Sequence, residues 1–183
     1  MRRTLILVVL IAALGGVFIY TSPDPGPRLR FDESVPADLQ ELADQTWNDF
    51  LAVHPGRQDC IPPLTLQAAW ELDNRGEYRP GSATVVIRVP GTPVTLRSEL
   101  IHEFAHHVEF TCPEHDSMRA DFLHAQGFPT TTNWFEADTW ETTPSEHFAE
   151  ATVELVMGRR THPGGIQITL EAVEVVRAWG LRS

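Results

Sequence analysis

His102-Glu103-Phe104-Ala105-His106 sets two imidazoles four residues apart, with a carboxylate beside the first. On a helix, residues four apart stand one turn above each other on one face, so both imidazoles can address a single cation. Zinc suits this spacing: it takes histidine nitrogens and brings the pKa of a bound water toward neutrality. Glu103 then stands where a general base is wanted, next to the ligands without being one. The chemistry implied is hydrolysis by an activated water, with one Zn2+ per chain. Two histidines leave a catalytic zinc one protein ligand short. The longer word H-E-x-x-H-x-x-G-x-x-H does not supply it, because the chain carries Glu109 and Cys112 where glycine and histidine would stand.

The missing ligand is sought in Thr143-Pro144-Ser145-Glu146-His147-Phe148-Ala149-Glu150, which opens a second helical pattern. Glu146 and Glu150 are four apart and project together. One can bind the metal while the other accepts the N–H of a ligating imidazole. Glu146 is the first choice as ligand and Glu150 as its outer partner, with the roles exchanged as an alternative. A competing local role exists for Glu146: Thr143-x-x-Glu146 fits a capping box, in which the carboxylate would bond the N-cap amide.

In these two motifs and their order the chain resembles the gluzincins, zinc peptidases with H-E-x-x-H on one helix and a glutamate ligand on the next. It is most similar to the lethal-factor-type pattern E-x-F-A-E, matched here by Glu146-His147-Phe148-Ala149-Glu150. The resemblance implies a zincin-like fold, peptide-bond hydrolysis, and His102, His106 and Glu146 as the metal ligands. It also implies that the edge strand of a sheet before the zinc helix, here Thr84 to Val89, pairs with an extended substrate. Such enzymes often hold a Tyr or His near the metal to stabilise the transition state. Past the N-terminal segment Tyr78 is the only tyrosine, and His115, His124, His147 and His162 are the alternatives. Two other functions fit the same residues: a catalytically silent zincin fold that binds a partner, and a zinc amidase acting on non-peptide cell-wall amides.

The elements around the motif are those needed to position it. Ala83 to Val89 is β-branched, bounded by Pro-Gly on both sides, and reads as a strand. Thr92-Pro93 supplies an N-cap and a first-turn proline, and Leu96, Leu100, Phe104 and Val108 then form a stripe at helical spacing up to Cys112. His102, Glu103 and His106 fall beside that stripe, between core and cleft, and His107 points away as a packing residue. Ahead of it, a helix from about Pro36 to Val53 buries Leu39, Leu42, Ala43, Trp47, Phe50 and Leu51. Leu64 to Leu72 and Ala83 to Val89 are expected to pair antiparallel through Asp73-Asn74-Arg75-Gly76. Further helices are expected near Asp116 to Ala125 and Leu170 to Trp179. Trp134, Phe135 and Trp140, between helices, read first as loop packing and second as a cleft wall. The fold class is α+β: a small, mostly helical domain with a short antiparallel sheet before the zinc helix.

Arg2-Arg3 precede an uncharged apolar run from Leu5 to Tyr20, long enough with its flanks to approach a bilayer core. Residues 1–22 read as an uncleaved membrane anchor, with a cleaved signal peptide and secretion as the alternative. Either exports the rest: a proline-rich linker over 23–36 and one domain over 37–183. Without Arg2 and Arg3 the exported part has 12 arginines against 25 acids and no lysine, a formal charge of −13. Nucleic acid is excluded as a partner, and contact with membrane is confined to the N-terminal segment. The partner expected is a peptide or protein substrate. Cys60 and Cys112 are the only cysteines. In an oxidising compartment they read as a disulfide, contributing roughly 3–4 kcal/mol through the unfolded state.

Overall fold

The computed structural model describes residues 26–158 and 165–182. The expected anchor therefore lies outside the described residues, as does His162. Among those described, no helix is long and apolar enough to cross a membrane.

The chain is α+β and mostly helical. Its elements run β1 (Leu29–Phe31), α1 (Ala37–Val53), β2 (Leu64–Ala69), β3 (Gly76–Arg79), β4 (Thr84–Arg88), α2 (Pro93–Thr111), α3 (His115–Gln126), α4 (Pro144–Met157) and α5 (Leu170–Leu181). The helices follow from local signals. Thr92 caps α2 by accepting from the Thr95 amide at 3.3 Å, with Pro93 in the first turn. Helix α1 buries Leu39, Ala43, Trp47 and Phe50, the i, i+4, i+8, i+11 face of an amphipathic helix. Leu42 and Leu51 are only partly buried beside it. Helix α3 ends at Gly127, whose φ of 81° is the left-handed conformation that closes a helix.

The sheet differs from expectation. Its order is β1-β2-β4-β3, and β2 pairs with β4 in parallel, not antiparallel. The residues taken as a simple hairpin turn lead into β3, which pairs antiparallel with β4 from the outside. The chain then returns through Pro80–Ser82, with Ala83 in the left-handed region (φ 46°), and enters β4 between its neighbours. Gly-Glu-Tyr-Arg carries little β-branched signal, so β3 is legible only through its partner. The interior place of β4 explains its unbroken burial from Thr84 to Ile87, the pattern of a strand covered on both faces. Thr84 to Val89 is accordingly not an edge strand; β1 and β3 are, and β3 is the one beside it. Leu29–Phe31, expected within the linker, pairs with β2 in parallel and belongs to the sheet.

One core joins the layers. Helix α2 packs between α1 and α4, and α5 closes against α3 and α4. Trp47, Phe50, Phe104, Phe148 and Trp179 are buried at its centre, each contributing about 1.5–3 kcal/mol by leaving water. Cys60 and Cys112 form a disulfide across a Cα–Cα distance of 5.0 Å. It ties the turn before β2 to the C-cap of α2 and fixes the far end of the helix that carries the H-E-x-x-H word.

Replacing both cysteines by serine lowers the thermal midpoint by about 10 °C, the size expected for releasing a loop of this length. Differential scanning calorimetry on the oxidised chain and the variant checks it, and equal midpoints contradict the bracing role.

Candidate metal centre

The centre lies on the seam between α2 and α4. Helical spacing puts His102 and His106 on one face of α2, and packing brings the first turns of α4 against it. One ligand atom each from His102, His106 and Glu146 lies within 4.8 Å of the others, so the group can hold a metal ion. Glu146 Oε2 is 3.0 Å from His102 Nε2 and 3.6 Å from His106 Nε2. The two Nε2 atoms are 3.2 Å apart.

The opposite nitrogen of each imidazole decides what this convergence means. His102 Nδ1 donates to Glu150 Oε1 at 3.0 Å, and His106 Nδ1 donates to Glu109 Oε2 at 3.0 Å. Both carboxylates are buried. With the Nδ1 positions committed as donors, both Nε2 atoms present lone pairs toward each other and toward a carboxylate oxygen. Acceptors facing one another at these distances require a positive charge among them, either a proton or a cation. The donor set fits a cation that accepts imidazole and carboxylate together, and carboxylates behind the imidazoles are the usual outer support of such sites.

The capping role proposed for Glu146 does not occur. Thr143 makes no side-chain cap bond, and its hydroxyl donates instead to the Thr139 carbonyl at 2.9 Å. The Glu146 carboxylate turns to the histidines and also accepts from Trp140 Nε1 at 2.6 Å. Trp140 stacks over His102, with centroids 6.3 Å apart.

Glu109 was not singled out in the sequence, although it sits three residues past His106 on the same face. Besides His106 it accepts Ser145 Oγ at 2.7 Å and the indole N–H of Trp134. It therefore fixes the ring of His106 and pins α4, one residue before Glu146, to α2. Gly76 is the other missed position. A Cβ built there would lie 2.6 Å from Glu103 Oε1 and 2.9 Å from its Cγ. Only glycine lets β3 run this close to the carboxylate.

Electrostatics follow from burial and pairing. Burial alone would lower both histidine pKa values. For His102 the hydrogen bonds with Glu146 and Glu150 outweigh it and hold the ring well above its usual value. For His106, Glu109 and Glu146 do the same and push it up to about 9. Burial works to raise Glu146, but its bonds with His102 and His106 win and draw it far below the ordinary carboxylate range. Glu103 is raised, chiefly by burial, against the lowering pull of His102 and His106. A buried carboxyl with a raised pKa is a group suited to exchanging protons.

These groups line a cleft of about 870 Å³, which also takes in β3, Phe110, Phe135 and Trp140. Of the residues considered as transition-state stabilisers, Tyr78 alone among those described lines it, and its hydroxyl donates to His107 Nδ1 at 3.0 Å. His107, a packing residue as expected, is fully buried, with Nε2 donating to the Pro62 carbonyl at 3.0 Å. His115 is buried among Trp134, Phe148 and Trp179. His124 is exposed on α3, and His147 bonds the Glu141 carbonyl at 2.7 Å. Trp134 is packing, as first expected, whereas Phe135 and Trp140 stand in the cleft. Comparison of the chain with protein-family models, curated proteins and solved structures found no match in any of the three.

Removing Glu146 takes one of the three converging donor groups, so Glu146→Ala loses most of the divalent cation that the group takes up. Glu150→Ala and Glu109→Ala each weaken binding about 10–100-fold while leaving the ligand set intact. Metal content by atomic emission and isothermal titration separate the three variants.

Raised histidine values also fix a pH dependence. In the metal-free chain they stabilise the protonated folded state, a contribution complete below the ordinary value of 6.5 and lost as pH rises through about 9. A cation must displace the same protons. Apparent affinity for a divalent cation therefore rises over that window, with net proton release visible when Zn2+ is titrated as the probe in buffers of different ionisation enthalpy.

Proposed function

We propose that this chain is a gluzincin-type zinc peptidase that hydrolyses peptide bonds with Glu103 as general base. The observation that carries the reading is the pairing of two tautomer-fixed imidazoles and a glutamate with a second glutamate, Glu103, buried beside them in the same cleft with its pKa raised. A purely structural metal site has no use for that second carboxyl, which neither ligates nor supports a ligand. Zinc, when bound, supplies a Lewis acid that acidifies water and polarises a carbonyl.

The chain's own residues divide the remaining work. Glu103 takes a proton from the attacking water and, once protonated, delivers it to the departing amine. Burial, which raises its pKa, makes its carboxylate the better base for the first half of that exchange. Glu150 and Glu109 keep the two imidazoles from rotating. Trp140 holds Glu146 and covers one side of His102.

The substrate's main chain has a counterpart in β3. The Arg88 amide donates to the Arg75 carbonyl, and antiparallel pairing alternates, so the amides and carbonyls of Gly76 and Tyr78 turn away from β4 toward the outer edge. That edge borders the cleft and suits an extended peptide. The Cys60–Cys112 bond supports an oxidising compartment, hence a domain working outside the cytoplasm behind the N-terminal anchor or after signal cleavage.

Glu103→Gln retains zinc and loses peptidase activity, because the ligands are untouched and only the proton carrier is removed. Gly76→Ala also retains zinc but lowers kcat, since the added methyl displaces the Glu103 carboxyl. Chelator-sensitive cleavage of an unbiased peptide library, with metal content measured on the same samples, tests both. Zinc-loaded wild type that cleaves nothing favours the silent binding fold.

A further inference from the structure

One wall of the cleft is built of aromatic rings and carries none of the metal-binding or proton-carrying carboxylates and imidazoles. Tyr78 from β3, Phe110 from α2 and Phe135 from the α3–α4 connection form a row of rings. Phe110 and Phe135 stack at 4.9 Å with 26° between their planes, and Tyr78 lies 5.8 Å from Phe110. All three line the same cleft as His102, Glu103 and His106. Phe110 is four residues past His106 and seven past Glu103, so it stands one turn further along the same face of α2.

Phe110 is 49% exposed and Phe135 41%. Single exposed apolar residues are ordinary on any surface. Two stacked aromatics beside the reacting groups are not scattered in that way: Trp70, Val94, Leu170 and Leu181, the other large exposed apolar residues among those described, lie outside the cleft.

The row is also held rigid from behind. Tyr78 is tied through its hydroxyl to buried His107. The Arg119 guanidinium sits 5.0 Å over the Phe135 ring. Trp134, the residue before Phe135, is buried with its indole N–H on Glu109. Apolar surface fixed in place before binding loses little ordering entropy when it is covered. Elsewhere the cleft carries the carboxylates of Asp73, Glu77, Glu99 and Glu141 against the guanidiniums of Arg75 and Arg88, Arg75 lying 3.6 Å from Glu99, and the chain's net charge is −11, so acids outnumber bases around an acidic side chain.

We propose that the Tyr78–Phe110–Phe135 row is a specificity wall that receives a large apolar or aromatic substrate side chain close to the bond attacked. This rests on the peptidase reading of the same cleft. Phe110 and Phe135 are specificity-determining residues here and take no part in proton transfer.

The test uses the full chain, zinc-loaded and carrying Glu103→Gln so that peptides bind without turnover. Capped peptides Gly-Ala-X-Ala-Gly are titrated with X as Phe, Leu, Ala or Asp. The Phe and Leu peptides bind about tenfold or more tightly than the Ala and Asp peptides, the scale expected for covering one large apolar side chain. Adding Phe110→Ala or Phe135→Ala removes the preference without changing zinc content or thermal midpoint, and Phe110→Leu keeps most of it. Binding that does not depend on X overturns the wall, as does a preference that survives both alanine variants. Wild-type protein is assayed for cleavage of the same peptides. A binding preference without cleavage of any peptide supports the wall and overturns the peptidase reading. Cleavage indifferent to X overturns the wall and leaves the peptidase reading standing.

Discussion

Five ionisable side chains hydrogen-bonded to one another at one helix seam govern this structure. His102, His106, Glu109 and Glu150 are held in the interior, with Glu146 partly exposed above them. Charges in such a place are tolerated only when each is paired and hydrogen-bonded, and breaking one buried pair costs about 3–5 kcal/mol. Pairing is complete here: Glu150 meets His102, Glu109 meets His106, and Glu146 meets both. The relative height and rotation of α2 and α4 follow, because a shift of either helix by a fraction of a turn would separate partners now 3.0 Å apart.

The rest of the molecule keeps that seam in register. Glu109 bonds Ser145 and Trp134, so the long α3–α4 connection is attached to the same carboxylate that orients His106. The disulfide holds the C-terminal end of α2, and the Thr92 cap holds its start. On the other side β3 closes against Glu103 through a residue without a side chain. The proposed function and the stability of the fold draw on the same contacts at this seam. A change at Glu109 alters both the ring of His106 and the docking of a loop that carries one face of the cleft.

The arrangement also separates two kinds of residue. Those that hold charge come from the faces of α2 and α4, rigid elements whose side-chain spacing is set by the helix itself. Those that shape the cleft come from wherever the chain passes nearby: an edge strand, the last turn of α2 and a loop. Phe110 and Phe135 meet although 25 residues separate them, and Tyr78 joins them from a strand that precedes both.

Sequence alone determined what a short window can encode. The H-E-x-x-H word, its capped helix and the apolar stripe behind it were readable because helical periodicity and N-cap chemistry are local. Helix α4 and the pairing of Glu146 with Glu150 were readable for the same reason, and two lone cysteines left one possible disulfide. Only the tertiary structure decided the rest. Whether Glu146 would cap its own helix or face the histidines depended on a partner 44 residues away, and the buried imidazoles outcompete a single backbone amide. Glu109 showed its role only once Ser145 and Trp134 were brought to it. The parallel pairing of β2 with β4 and the outer place of β3 are likewise non-local. A strand's alternation records which faces are buried and does not record which neighbour lies beside it. Gly76 is the plainest case: its local sequence reads as the end of a hairpin turn, whereas the requirement for glycine comes from a carboxylate on a helix that folds against it.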